Sequence, residues 1–233
     1  MKFTGVTFSG PDSTTAIGTL VELQRKFPYM EVGVLWSLKA AGQPRYADRD
    51  WIEQASALGL NFSIHLCGKV ARQLVEEGEP PVVPGTPKRV QINCNGMKPL
   101  PEWYRGLDTI ADEHGTKLQF IIQTCDHNGA YWVGMAQGAR WGERGVCVPL
   151  FDQSGGKGQL PEEWPNPLPF THCGYAGGIG PDNAQALVRH LKTLKGESFW
   201  IDMETKVRTG DVFDLDKVVH VLNLVDNLID RSE

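Results

Sequence analysis

Eight short apolar runs recur along the chain, with stretches of helical periodicity between them. They are Phe3–Phe8, Glu31–Trp36, Asn61–Leu66, Arg89–Asn93, Leu118–Gln123, Val146–Phe151, Phe170–Cys173 and Phe199–Met203, and successive runs start 24 to 30 residues apart. Strands alternating with helices predict parallel βαβ units. Eight units at this period predict an α/β fold, a single (β/α)8 TIM barrel domain over residues 1–233, rather than an open doubly wound sheet.

The connecting segments carry start and stop signals. Asp12 and Ser13 predict the cap of a helix that runs to about Lys26, before Pro28. Asp48–Leu58 is closed by Gly59, Gly68–Glu77 by Gly78, and Glu102–His114 by Gly115. Pro181–Leu194 and Leu215–Ile229 predict the last two helices. The sixth connection holds Pro161, Pro165, Pro167 and Pro169, which predicts a short helix or none.

Composition narrows the function classes. The 233 residues are 41% hydrophobic and 22% charged, within the globular range. Net charge is −5 with no basic block, which argues against a nucleic-acid or anionic-membrane surface. The N-terminal MKFTGVTFSGPDS has no apolar core of a signal peptide, and no apolar run is long enough to cross a membrane. Five cysteines, an odd number without CxxC spacing, argue against a disulfide framework. A cytoplasmic monomer or homodimer, acting on a small molecule without a cofactor, is the expectation.

In such barrels the active site lies where strands end and the following loops begin. The late loops stand out. PLFDQSGGKG, residues 149–158, delivers Asp152 to the mouth and follows it with Gly155, Gly156 and Gly158. YAGGIGPDN, residues 175–183, brings Gly177 and Gly178 to a helix start. IDMETKVRTG, residues 201–210, follows strand eight. Glycine-rich loops at adjacent barrel positions suit a phosphate, because backbone N–H groups approach an anion closely there. Turn-forming glycines are the simpler alternative. His65 and Cys67 alternate with Ile64 and Leu66 and are predicted to point into the barrel. His65, Cys67, Cys94, Cys125, Asp126 and His127 fall near the ends of strands three to five, but no element shows metal-ligand spacing, so no metal is expected.

Taken in order, these segments resemble the phosphoribosylanthranilate isomerase family. KFTGVTFSGPD is similar to its K-x-C-G-I-T start, PRYAD to S-P-R-Y-V, and VQIN to V-Q-L-H. LFDQSGGKGQLPEEW is similar to L-L-D-S…G-G-T-G-x-x-F-D-W, and AGGIGPDNAQALV to A-G-G-L-x-P-E-N-V. WIDMETKVRTGDVFDLDKV is similar to V-D-V-S-S-G-V-E…G-x-K-D-x-x-K-V. The resemblance implies acid/base isomerisation of a phosphoribosyl compound. Asp152 would be the general acid. Arg45 would face the aromatic end of the substrate, with Asn93 as a further contact; Asp126, directly after strand five, is placed for substrate contact by its position, or equally to start a helix cap. Gly155, Gly156, Gly158, Gly177, Gly178, Glu204 and Thr205 would surround the phosphate.

The chain departs from the family pattern where chemistry is concerned. Thr4 stands at the position of the family's catalytic cysteine, and a hydroxyl is too weak to abstract a carbon-bound proton unaided. Glu204, Thr205 and Lys206 replace two serines and a glycine, and Asn93 replaces a histidine. His65, Glu204, Asp126 and His127 are candidates for a relocated base. An aldolase or lyase on the same scaffold, and a non-catalytic phosphoribosyl-ligand binding protein, are the alternative readings.

Overall fold

The computed structural model describes residues 1–94, 96–100, 103–114, 118–124, 145–169 and 171–231. Eight strands form a closed parallel barrel, each paired with its neighbours in sequence and the eighth with the first. They are β1 (Lys2–Ser9), β2 (Met30–Trp36), β3 (Phe62–Leu66), β4 (Arg89–Ile92), β5 (Leu118–Thr124), β6 (Gly145–Phe151), β7 (His172–Tyr175) and β8 (Ser198–Met203). Around them lie α1 (Ile17–Lys26), α2 (Arg49–Ala57), α3 (Lys69–Arg72), α4 (Arg105–His114), α5 (Ala184–Thr193) and α6 (Leu215–Val225). The barrel is therefore the fold the apolar periodicity predicts.

Period-2 alternation sorts the strand residues into two layers. Val32, Val34 and Trp36 of β2, Ile64 and Leu66 of β3, and Cys173 and Tyr175 of β7 join the buried layer between strands and helices. The opposite set fills the barrel interior: Glu31, Gly33 and Leu35 from β2, Ser63 and His65 from β3, Arg89 and Gln91 from β4. At about 25 cal/mol per Å², each fully buried large side chain of the outer layer contributes roughly 1.5–3 kcal/mol, and that layer dominates the stability.

The interior is unusually polar near its N-terminal end. Glu31 accepts hydrogen bonds from Arg89 Nε at 2.7 Å, Ser63 Oγ at 2.9 Å and Thr7 Oγ1 at 3.1 Å. The Arg89 guanidinium also lies 4.5 Å from the centroid of the Trp200 ring. Trp200 crosses the interior at Gly174, where an added Cβ would sit 2.3 Å from its Cζ2. A side chain at Gly174 would expel the indole, so glycine is required here by close approach.

Several boundaries differ from the sequence expectation. α1 begins at Ile17, because Asp12 instead closes a local turn by accepting from the Thr14 amide at 3.0 Å. Ser13 donates to Asp48 at 2.7 Å, and Asp48 caps α2 by accepting from the Trp51 amide at 2.8 Å. The third helix keeps α geometry only to Arg72 and continues as a π turn over Gln73–Glu77, ending at left-handed Gly78. β7 lies two residues later than predicted, since the preceding prolines lack the amide a ladder needs, and Tyr175 anchors the strand against Phe151, Trp164 and Phe199. No helix is assigned among the described residues 152–169. The fifth connection lies outside the described residues. Among the described residues, no helix is long and apolar enough to cross a membrane.

Candidate functional site

A cleft of about 70 Å³ opens at the C-terminal end of the barrel. Its floor is made by Ser9, His65, Gln91, Gln123 and Asp202, and its wall by Asp152, Gly177, Gly178, Thr205 and Lys206. Strand ends and the loops after β6, β7 and β8 thus bring to one place most of the residues the sequence singles out.

Asp202, the last but one residue of β8, turns its side chain inward and is 6% exposed. Burial pushes its carboxyl up to about 7, and neighbouring Glu204 and Glu31 add to the rise. The Ser9 hydroxyl, donating to Oδ1 at 2.7 Å, opposes the shift and is the carboxyl's one side-chain hydrogen bond among the described residues. A carboxyl that titrates near neutrality holds and releases a proton under physiological conditions.

His65 stands on the same floor. Burial pulls its imidazole down to about 4, so the ring is neutral near pH 7. Its Nε2 lies 3.0 Å from Ser63 Oγ. Gly33 separates His65 from Ser9: an added Cβ there would lie 2.2 Å from Ser9 Oγ and 2.7 Å from His65 Cε1. The absent side chain at Gly33 is what lets hydroxyl and imidazole approach each other.

Asp152 lines the cleft, but its carboxyl is engaged in ordering its own loop. It accepts from Gln123 Nε2 at 2.9 Å, Ser154 Oγ at 2.7 Å and the Gly156 amide at 2.7 Å. The Gly158 amide in turn donates to Ser154 Oγ at 3.1 Å. Two of the amides expected to face a phosphate are therefore spent inside the loop. Gly155 donates to the Asp152 carbonyl at 3.0 Å and is absent from the cleft lining. Gly177 and Gly178, both at positive φ, do line it. Side chains there would collide with the neighbouring loop, at 2.9 Å from Gln159 O and 2.6 Å from Leu160 N, respectively. These glycines thus serve close loop packing as well as the cleft.

The rim is held by charge. Arg45, in a left-handed backbone conformation, bonds Glu204 at 2.8 Å and Asp211 at 2.7 Å. The buried Arg208 guanidinium donates to the carbonyls of Gly10 and Asp211, fastening the loop after β8 to the end of β1. Arg45 therefore sits at the rim tied to Glu204 rather than on the cleft floor. Asn93 lines the cleft and is held between Gln91 Nε2, at 2.9 Å, and Cys67 Sγ, at 3.2 Å.

Thr4 requires a correction. It lies at the N-terminal end of β1, exposed, with its hydroxyl donating to the Phe199 carbonyl at 3.0 Å. β1 runs on to Ser9, so the strand end at the mouth is Ser9, not Thr4. The motif match to K-x-C-G-I-T put the site at the wrong end of the strand because a short apolar pattern does not fix how far a strand extends. Asp126, His127 and Cys125 lie outside the described residues. Among the described residues, no group of three or more His, Cys, Asp or Glu is arranged for a metal ion. Ser9, Gln91 and Gln123 are cleft residues that the sequence did not single out, and Asp202, a polar residue at the predicted end of strand eight, carried no assigned role. Alternation along FWIDME, with Trp200, Asp202 and Glu204 sharing one face, carried a usable signal for Asp202.

Fold and site together define a closed parallel (β/α)8 barrel with a polar cleft at its C-terminal mouth. Two solved structures share that architecture. Phosphoribosyl anthranilate isomerase from Thermococcus kodakaraensis is 14% identical, with a TM-score of 0.54, over 97% of this chain and 100% of that one. N-(5'-phosphoribosyl)anthranilate isomerase from Pyrococcus furiosus is 12% identical, with a TM-score of 0.53, over 96% and 98%. At these identities the likeness establishes the shared fold. No family model matches the chain. No curated protein matches it in sequence.

Proposed function

We propose that the chain is an acid/base isomerase of a phosphorylated sugar compound, of the phosphoribosylanthranilate isomerase type, with Asp202 and His65 as its proton-transfer pair. The observation that carries this reading is their juxtaposition on one buried floor. One is a carboxyl that titrates near 7, the other an imidazole already neutral at that pH. Environments that push two groups apart in this way assign acid and base roles. Asp202 donates a proton to the sugar ring oxygen and opens the ring to a Schiff base. His65 removes the C2 proton, the enol-amine becomes the ketose by moving its hydroxyl proton to C1, and the proton held by His65 returns to Asp202, which resets the pair.

The phosphate end of the substrate lies against Gly177, Gly178, Thr205 and Lys206. Lys206 supplies the cation, and Arg45, by pairing with Glu204, offsets the carboxylate that would otherwise repel a dianion. Asp152 supports this wall by ordering the 152–158 loop. The two likenesses in solved structures support the reaction class through the fold they share with this chain.

The test is turnover of freshly generated phosphoribosylanthranilate, followed by loss of anthranilate fluorescence. Asp202→Asn is expected to lower kcat by about 10²–10⁴-fold, the usual worth of a positioned proton donor. Turnover that survives in Asp202→Asn but disappears in Asp152→Asn would return the acid role to Asp152. A folded wild-type protein without turnover on this compound or on other phosphorylated aminosugars would overturn the reading.

A further inference from the structure

The imidazole of His65 is useful as a base only if the nitrogen facing the cleft carries a lone pair. Which nitrogen that is depends on what holds the other one. The hydrogen bonds below the floor decide it, and they lead away from the cleft toward the opposite end of the barrel.

Glu31 lies one turn of the interior below His65, on β2. Burial by itself would raise its carboxyl, but the Arg89 guanidinium, bonded to both oxygens, overrides that and holds it below the ordinary carboxylate value. The group is therefore an acceptor only. Ser63 Oγ lies 2.9 Å from Glu31 Oε1 and 3.0 Å from His65 Nε2. A serine hydroxyl has one proton. With a carboxylate on one side, that proton goes to Glu31, and the oxygen is left to accept from His65. Thr7 repeats the logic beside it: its hydroxyl donates to Glu31 Oε1 at 3.1 Å and accepts from Arg89 Nη2 at 3.1 Å. Both hydroxyl protons of this cluster, from Ser63 and Thr7, point at Glu31.

We infer that Glu31 is a positioning residue for the candidate active site, acting through Ser63 to keep the His65 proton on Nε2 and its lone pair on Nδ1. The relay Glu31–Ser63–His65 does through a serine what a carboxylate bonded directly to a histidine does elsewhere. Arg89 is the outer member: its fork fixes the Glu31 carboxylate, and the stack on Trp200 fixes the fork. The N-terminal half of the interior thereby sets the protonation geometry of the cleft. The part of this inference that concerns rate rests on His65 being the base proposed above; the part that concerns the tautomer does not.

Nitrogen-15 NMR of the histidine-labelled full-length protein near neutral pH tests the tautomer directly, with His65 assigned through a His65→Gln variant. The expected result is a protonated Nε2 and an unprotonated Nδ1 for wild type. Ser63→Ala is expected to shift His65 toward a mixture of tautomers, and Ser63→Thr, which keeps the hydroxyl, to restore the wild-type pattern. In the turnover assay, Ser63→Ala is expected to lower kcat about tenfold or more with KM little changed, and Ser63→Thr to recover most of it. A purely structural Ser63 would change neither the tautomer nor the split between kcat and KM. Protonated Nδ1 in wild type, or a Ser63→Ala protein with an unaltered tautomer, overturns the relay. A wild-type protein without turnover but with the Nε2–H imidazole leaves the relay standing and discards the catalytic reading alone.

Discussion

The two ends of the barrel each bury a carboxyl, and the two behave in opposite ways. Glu31, toward the N-terminal end, is bonded by the Arg89 fork, Ser63 and Thr7, and is held below its ordinary pKa. Asp202, at the C-terminal mouth, is raised to about 7 by burial, and among the described residues its one side-chain hydrogen bond, from Ser9, and the weaker unbonded charge of Arg89 only partly oppose that rise. Both are buried to a similar degree, so burial is not what distinguishes them. The difference is a guanidinium. One end uses its charge to hold the interior together, and the other leaves a carboxyl free to exchange a proton.

The largest effect should come from breaking the paired end. Arg89→Met leaves Glu31 buried and uncompensated, and is expected to cost about 3–5 kcal/mol in urea unfolding, whereas Glu31→Leu combined with Arg89→Met should recover much of that loss. Recovery by the double variant would show that the pair itself adds little net stability.

The unpaired end should reveal itself through pH. Asp202 has a folded pKa above its ordinary 3.8, so the folded state holds a proton that the unfolded chain has lost. The stability this gives is full below the ordinary value and is lost as pH rises through about 7. Relative to wild type, Asp202→Asn is expected to gain roughly 2–3 kcal/mol between about pH 5 and about pH 8. His65 and His172, both pulled down to about 4 by burial, act in the other direction. Their folded pKa lies below the ordinary 6.5, so stability is lost as pH falls from 6.5 toward 4. The two windows overlap between about pH 4 and 6.5, where Asp202 offsets part of the histidine slope, so Asp202→Asn should steepen the acid side of the curve and remove the decline toward pH 7.

Gly33 sits between the two ends, and a methyl there would overlap Ser9 and His65. Gly33→Ala is expected to cost about 1–3 kcal/mol by overpacking, and to move the Asp202 titration as Ser9 is displaced. The smallest effect belongs to the rim. The Arg45 and Glu204 side chains are each 32% exposed, so Arg45→Ala should cost under about 1 kcal/mol, measured by the same unfolding assay, while weakening the binding of a phosphorylated ligand at low salt.

Much of the fold was legible in the sequence because it depends on repetition. Apolar runs at a steady period imply strands, and polar stretches with capping residues imply the helices between them. Asp48 and Gly59 were legible as the two ends of α2, and Gly78 as a helix stop, because caps act within a few residues of chain. Asp152, His65 and the Gly177–Gly178 turn were placed near the mouth by their position at predicted strand ends. Thr4 and Ser9 mark where that method failed: the same strand carries both, and only its extent decides which one reaches the cleft. Roles were harder still. Asp152 and Asp202 read alike as aspartates at strand ends, yet one accepts two hydrogen bonds from its own loop and a third from Gln123 of β5, while among the described residues the other accepts a single side-chain one from Ser9.

The sequence by itself determined the barrel, since hydrophobic period and local capping act between residues close along the chain. It also put a polar, glycine-rich set of loops at one end. The tertiary structure alone decided which carboxyl would be neutralised by Arg89 and which would be stranded beside Glu204. That outcome depends on groups from β1, β2, β4 and β8 meeting in a dry interior, where a charge is stabilised or penalised by neighbours distant in the chain.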